Sequence, residues 1–284
     1  MFYKGYLPLN KMRKEAFAGQ FYPESNEELV EMLNRLVVSN KKEQVHAAVC
    51  PHAGYAFSGE IAGEIYSLIP EKKVFIILGV NHTGLGKKVC FSLDNWQTSL
   101  GEVKVNKDIV DKIMHRLKHE EIDCEINELV HQEEHSIEVQ IPFLQHTQED
   151  FTIVPIIFSD LNYEDCKKIA KILEGFVNDR EIIIATSDMT HHGKIYGFAP
   201  FAQDIKNNLA KLDGDIILQV LRNDSKSFFH IASKSTVCGL YAVTILTEIS
   251  KIRGWKARLT KYYTSGDVVN KWDAVVGYAG IVFE

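Results

Sequence analysis

The stretch that most constrains this chain is the apolar run Ala47-Ala48-Val49-Cys50 together with the turn that stops it, Pro51-His52-Ala53-Gly54. Four apolar residues in succession between turn signals read as a strand buried on both faces. Pro51 has no N–H to give a ladder, so the strand ends there and an imidazole follows at its carboxyl end. The design recurs further on: Val74-Phe75-Ile76-Ile77-Leu78-Gly79 is a second apolar run, and Asn81-His82-Thr83-Gly84 follows it. In open α/β sheets the crevice that takes ligands lies outside the carboxyl ends of the strands. Two strands that each end in a histidine-bearing turn therefore predict one site at one edge of a sheet.

The rest of the chain reads as alternating strands and helices. Ser25-Asn26-Glu27-Glu28 has capping-box spacing and opens a helix with Leu29, Leu33 and Leu36 at helical period. A strand over 45–50, a helix over 59–68 and a strand over 73–79 make a βαβ unit. Val89 to Leu93 reads as a short strand paired with one around Val103 to Val105, and Ile109, Ile113 and Leu117 mark a helix. Beyond a charged loop over 119–134, Glu134 to Leu144 reads as a helix that Pro142 kinks or ends. A strand over 151–158, an amphipathic helix from Cys166 to Val177 and a strand over 181–186 follow. Helices are expected over 202–212 and 214–222, broken near Asp213-Gly214. A helix over 237–252 is apolar almost all round and so buried, and strands over 257–264 and 274–283 close the chain. Residues 1–24 read as irregular, with Phe21 and Tyr22 demanding burial. This alternation predicts a single α/β domain over 1–284: a mixed, mostly parallel central sheet with helices on both faces.

Composition removes several function classes. A net charge of −6 gives no long-range attraction to nucleic acid or anionic lipid. No apolar stretch approaches the roughly 20 residues that span a bilayer, and Met1 to Glu15 has no apolar core of a signal peptide. The five cysteines are widely spread with no Cys-x-x-Cys pair, which argues against a disulfide framework or zinc ribbon. The expectation is a cytoplasmic protein without membrane or nucleic-acid partners.

Histidine carries most of the chemical information. His52, His82 and His191 each follow a predicted strand, and imidazole suits zinc, copper and iron. Two histidines plus one anionic ligand make a common divalent-metal set, and Asp188, Glu134, Glu138 and Cys238 are the candidates for the third place. Cys238 lies where the buried helix begins, and amide dipoles there favour a thiolate; the plain alternative is a small buried hydrophobe. Asp188 and His191, three apart in one turn, read either as a general base with its orienting carboxylate or as an Asp that caps a following helix. His135 and Glu138 share a helix face. Gly84-Leu85-Gly86-Lys87-Lys88 hints at phosphate binding without P-loop spacing, and Ser187, Asp188 and His191 lack the Gly-x-Ser-x-Gly elbow of a hydrolase.

At this point a family resemblance emerges. Ala18-Gly19-Gln20-Phe21-Tyr22-Pro23, Pro51-His52-Ala53-Gly54-Tyr55, Leu78-Gly79-Val80-Asn81-His82, Glu134-His135-Ser136-Ile137-Glu138, Thr186-Ser187-Asp188-Met189-Thr190-His191 and Val237-Cys238-Gly239 run in order along the chain. With them the chain resembles the Memo family, whose prokaryotic members are labelled AmmeMemoRadiSam system protein B. The resemblance implies a fold like that of the class III extradiol dioxygenases, which are non-haem iron enzymes. It also implies a metal held by His52, His82 and Cys238, with Asp188 and His191 as catalytic pocket residues. Cys238 stands where the dioxygenases use a carboxylate, and a thiolate is softer and itself oxidisable. Fe(II) or Cu is expected before Zn, with a small, phenolic substrate bound near Tyr55, Glu134 and His135. The family label further implies radical-SAM and AMMECR1-type pathway partners. A non-catalytic scaffold that binds a ligand or peptide in the same pocket remains the alternative, and a homo-oligomer is left open.

Overall fold

The apolar runs become the centre of one large sheet in a computed structural model that describes residues 12–38 and 41–284. Residues 1–11, part of the stretch read as irregular, lie outside the described residues. β1 (Met12–Arg13) precedes α1 (Asn26–Leu36), where the Ser25 hydroxyl accepts the Glu28 amide at 3.3 Å as the spacing predicts. Then come β2 (Ala47–Cys50), α2 (Tyr55–Leu68), β3 (Val74–Val80), β4 (Val89–Phe91), β5 (Asn95–Thr98), β6 (Gly101–Val105) and α3 (Lys107–His119). The middle of the chain gives β7 (Cys124–Ile126), α4 (Glu128–Gln132), α5 (Ile141–Thr147), β8 (Thr152–Phe158), α6 (Tyr163–Glu174), β9 (Glu181–Thr186) and β10 (His191–Gly193). It ends with α7 (Ile205–Leu221), α8 (Ser225–Ala232), α9 (Leu240–Arg253), β11 (Ala257–Thr264), α10 (Ser265–Val269) and β12 (Ala274–Phe283).

The strands lie in the order β1-β5-β6-β8-β3-β9-β2-β12-β10, with β11 on β12, and β4 linking β8 to β7. The run β6-β8-β3-β9-β2 is parallel throughout. β12 is antiparallel to β2, β10 and β11. Parallel strands need cover on both faces. Accordingly α2 packs on β2 and β12 together with α1 and α5, while α9 packs on β3, β8 and β9 together with α6 and α8. β3, β8 and β9 are buried almost end to end, which is why they read as continuous apolar runs. The expected mixed, mostly parallel α/β sheet is what forms.

Four local expectations are corrected. The strands at Val89 and Val103 do not pair with each other: β4 pairs with β8 and β7, and β6 with β8 and with the unforeseen β5. Glu134 to Leu144 is not one helix; a single 3-10 turn over Glu138–Gln140 leads into α5, and Pro142 sits in its first turn, where a missing N–H costs nothing. The helix expected over 59–68 starts earlier, at Tyr55. α7 runs unbroken through Asp213-Gly214, because Asp213 is fully buried with partners of its own and does not end the helix.

Candidate metal and acid/base site

Three neighbouring parallel strands, β3, β9 and β2, end side by side and deliver His82, the Ser187 to His191 turn and His52 to one edge. Cys238 comes from the turn just before α9. That approach depends on Gly239, because a Cβ there would lie 2.3 Å from the Ser187 Cβ. The Ser187 hydroxyl also accepts the Gly239 amide at 3.0 Å, locking the two turns together. Ligand atoms of His52, His82 and Cys238 consequently lie within 4.8 Å of one another, and those of His82, Glu134 and His135 form a second such group.

Each histidine is held differently. His82 Nδ1 lies 3.0 and 3.2 Å from the two Glu134 oxygens, and the His82 main-chain N–H donates to the same carboxylate at 2.7 Å. A carboxylate only accepts, so Nδ1 carries a proton and the ring is held with Nε2 left for a ligand, the arrangement common behind metal-binding histidines. Burial alone would raise the Glu134 pKa. The His82 hydrogen bond, the neighbouring His82 and His135 rings and the Ser136 amide (2.8 Å) overcome that and bring it down to about 2. His52 is buried, with Nε2 3.1 Å from Cys238 Sγ, and its Nδ1 has no hydrogen-bond partner among the described residues. Burial, reinforced by His82, His135 and His191, holds its pKa well below the ordinary value and keeps the ring neutral. His135 stacks on His82 at 4.8 Å between ring centres and lies under Phe21 at 4.5 Å; burial pulls its pKa down to about 4.

The helix-dipole expectation for Cys238 is outweighed. Burial and then Asp188 push its thiol well above the ordinary range, although the Asp188 amide donates to Sγ at 3.1 Å. A thiolate here needs a cation beside it, which couples metal binding to proton release. Asp188 caps no helix, since β10 follows it. Nor does it hold the His191 ring: its Oδ1 accepts the His52 main-chain N–H at 2.9 Å. Burial raises its pKa against the opposing pull of His191. The His191 ring is oriented instead by carbonyl oxygens, those of Met189 and Thr236, each 3.1 Å from Nδ1. Carbonyls only accept, so Nδ1 carries a proton.

Beside this cluster opens a crevice of about 410 Å3, walled by Phe21, Phe57, His135, Asp188, His191, Tyr196 and Tyr278 among others. Phe57 lines it, but Tyr55 does not: Tyr55 donates its hydroxyl to the Val139 carbonyl at 2.7 Å and packs against Tyr22 and Phe143. Glu134 is likewise away from the crevice, at 1% exposure behind His82. The Lys87 and Lys88 ammoniums are engaged with Asp123 at 2.6 Å and Asp165 at 2.8 Å, so the glycine-rich loop leaves no free cation for phosphate.

Two buried carboxylates have roles other than those the sequence suggested. Glu138, a candidate third ligand, belongs to neither ligand group and instead pins the segment before α1. Its carboxylate takes the Arg13 guanidinium at 2.7 Å, the Ala16 and Phe17 amides at 3.0 and 2.8 Å and the Tyr22 hydroxyl at 2.9 Å. That segment carries Phe21 onto His135. Asp213 is the second: a carboxylate on an otherwise apolar helix face was the available signal, and the Asp-Gly pair masked it.

Fold and site together define an α/β protein with a His, His, Cys cluster at the carboxyl ends of parallel strands, next to an aromatic crevice. The family model described as Memo-like protein matches residues 13–282, and the chain belongs to that family. It is 38% identical to a MEMO1 family protein of Archaeoglobus fulgidus, over 96% of this chain and 99% of the relative. A MEMO1 family protein of Methanosarcina mazei is also 38% identical, over 96% of this chain and all of the relative. One from Thermococcus onnurineus is 36% identical, over 96% and 99% respectively. Among the described residues no helix is long and apolar enough to cross a membrane.

Proposed function

We propose that the protein holds one redox metal, Fe(II) or Cu rather than Zn, through His52, His82 and Cys238, and acts as an oxidoreductase on a small, phenolic molecule. The observation that carries this reading is the convergence of three donor atoms within 4.8 Å, with His82 Nδ1 tied to Glu134. The donor set fits a metal: two imidazoles, one with a buried nitrogen that has no partner among the described residues, and a thiol that needs a cation to ionise. Imidazole and thiolate suit copper, and the likeness to non-haem iron enzymes supports iron. A bound redox metal supplies one-electron chemistry that side chains lack.

The protein's own groups do the rest. Phe21, Phe57, Tyr196 and Tyr278 wall the crevice and exclude water from a flat ring placed there. His191 Nε2 accepts the proton of a phenolic hydroxyl, while Met189 and Thr236 keep Nδ1 protonated and the ring fixed. Cytoplasmic residence and pathway partners of the radical-SAM and AMMECR1 type belong to the same proposal. A second reading, a scaffold that binds ligand or peptide without turnover, is favoured by the partly exposed Phe57, Tyr196 and Val269 around the crevice.

The test is oxygen uptake by metal-loaded protein offered a panel of phenols. His191→Ala should keep its metal and lose about 10²–10⁴-fold in rate. Uptake unchanged by the substitution removes His191 from the chemistry, and metal-loaded protein that turns over no phenol favours the scaffold.

A further inference from the structure

Asp213 lies outside the crevice, yet it is joined to His191 through a single peptide group. Its Oδ1 accepts the Thr190 N–H at 3.1 Å, and the Tyr262 hydroxyl donates to Oδ2 at 2.8 Å. The Thr190 N–H and the Met189 C=O belong to one planar amide, and that C=O accepts the proton of His191 Nδ1 at 3.1 Å. The order is therefore carboxylate, amide N–H, amide C=O, imidazole N–H.

The surroundings are shaped for the carboxylate. Asp213 is fully buried, and a Cβ on Gly277 would stand 2.1 Å from its Oδ2. Gly277 in turn brackets the same peptide: its N–H donates to Thr190 O at 3.0 Å and its C=O accepts the Met189 N–H at 2.8 Å. Asp213 of α7 thus bonds to this peptide directly, Tyr262 of β11 holds Asp213, and Gly277 of β12 holds the peptides on either side.

We propose that Asp213 is a positioning residue for His191, acting through the Met189–Thr190 peptide to favour the tautomer whose Nε2 lone pair faces the crevice. A carboxylate pulling on the N–H polarises the amide and makes its C=O a stronger acceptor, as chained hydrogen bonds do. Thr236 O shares the Nδ1 proton, so Asp213 biases a geometry that already exists. The inference rests on the reading of His191 as the acid/base group only for its use, not for its test.

The experiment is ¹⁵N NMR of histidine-labelled full chain at pH 8, with and without Zn(II) as a diamagnetic occupant. His191→Gln identifies the signal. Asp213→Asn keeps the shape and an acceptor for Thr190 but removes the charge. It should lower the ratio of the Nδ1–H to the Nε2–H tautomer by about 1.5-fold or more, with the Thr190 amide proton moving upfield. Tyr262→Phe leaves the carboxylate in place with one donor fewer, so both quantities should move the opposite way. A tautomer ratio that neither substitution changes overturns the relay, whether or not the Thr190 proton moves. If Asp213→Asn does not fold, Tyr262→Phe decides alone. Turnover plays no part in this readout, so a failed oxygen-uptake assay and a failed relay are distinguishable.

Discussion

Replacing Glu138 with alanine should be among the most damaging single changes in this protein. The carboxylate and Arg13 are both almost wholly buried, with side-chain exposures of 1% and 2%, and are 2.7 Å apart. Two main-chain amides and the Tyr22 hydroxyl also end on the same carboxylate. Without it a guanidinium is left buried beside three unsatisfied donors. Arg13 keeps its bonds to the His131, Glu134 and Lys14 carbonyls at 2.8, 3.1 and 3.4 Å and its place over Trp96. Breaking a buried pair from one side costs about 3–5 kcal/mol. At about 2–4 °C per kcal/mol for a chain of this size, Tm should fall by about 6–20 °C. Urea unfolding of the wild type, Arg13→Met, Glu138→Met and the double variant measures the coupling as a cycle, expected at about 2 kcal/mol or more. The double variant should be more stable than the sum of the single losses implies. A Glu138→Ala loss below about 1 kcal/mol, or an additive cycle, refutes the reasoning. Because the pinned segment places Phe21 on His135, the variant should also release metal faster.

Three further outcomes follow from the site. Glu134→Gln should keep the fold while lowering metal affinity about 10- to 100-fold, since His82 loses the carboxylate that fixes its tautomer; competition with a chelator measures this, and unchanged affinity would remove Glu134 from the site. Burial raises the Asp213 pKa from 3.8 to about 6, so its contribution is full below pH 3.8 and lost as pH rises through 6. Stability of the wild type relative to Asp213→Asn should therefore fall by at most about 3 kcal/mol between pH 4 and pH 8, and a difference flat with pH contradicts the assignment. Gly277→Ala should cost about 1–3 kcal/mol by overpacking and distinctly less when Asp213 is already alanine, which urea unfolding of both backgrounds checks.

What was legible in the sequence follows from what is local. β3, β8, β9 and β12 announce themselves as apolar runs because both faces are covered, and His52, His82 and His191 because each directly follows such a run. β5, β7 and β10 are too short to carry a period, and their pairing is set by partners distant in the chain. Glu138 and Asp213 were misread for a common reason. Spacing put Glu138 on a helix face with His135, and the Asp213-Gly214 pair read as a break, yet each is fixed by groups remote in sequence: Arg13 and Tyr22 for one, Thr190 and Tyr262 for the other. The grip of Glu134 on His82 also spans 52 positions. Local pattern finds groups that stand at strand ends; it does not find the buried charges that hold them.

The most direct measurement is metal content per chain of anaerobically purified protein, alongside His52→Ala, His82→Ala and Cys238→Ser. The account predicts one iron or copper per chain, lost or sharply reduced in all three variants with the fold intact. Metal that survives Cys238→Ser would move the third ligand to Asp188 or Glu134. Folded wild-type protein that takes up no metal on reconstitution would contradict the central claim and leave the crevice as a recognition site.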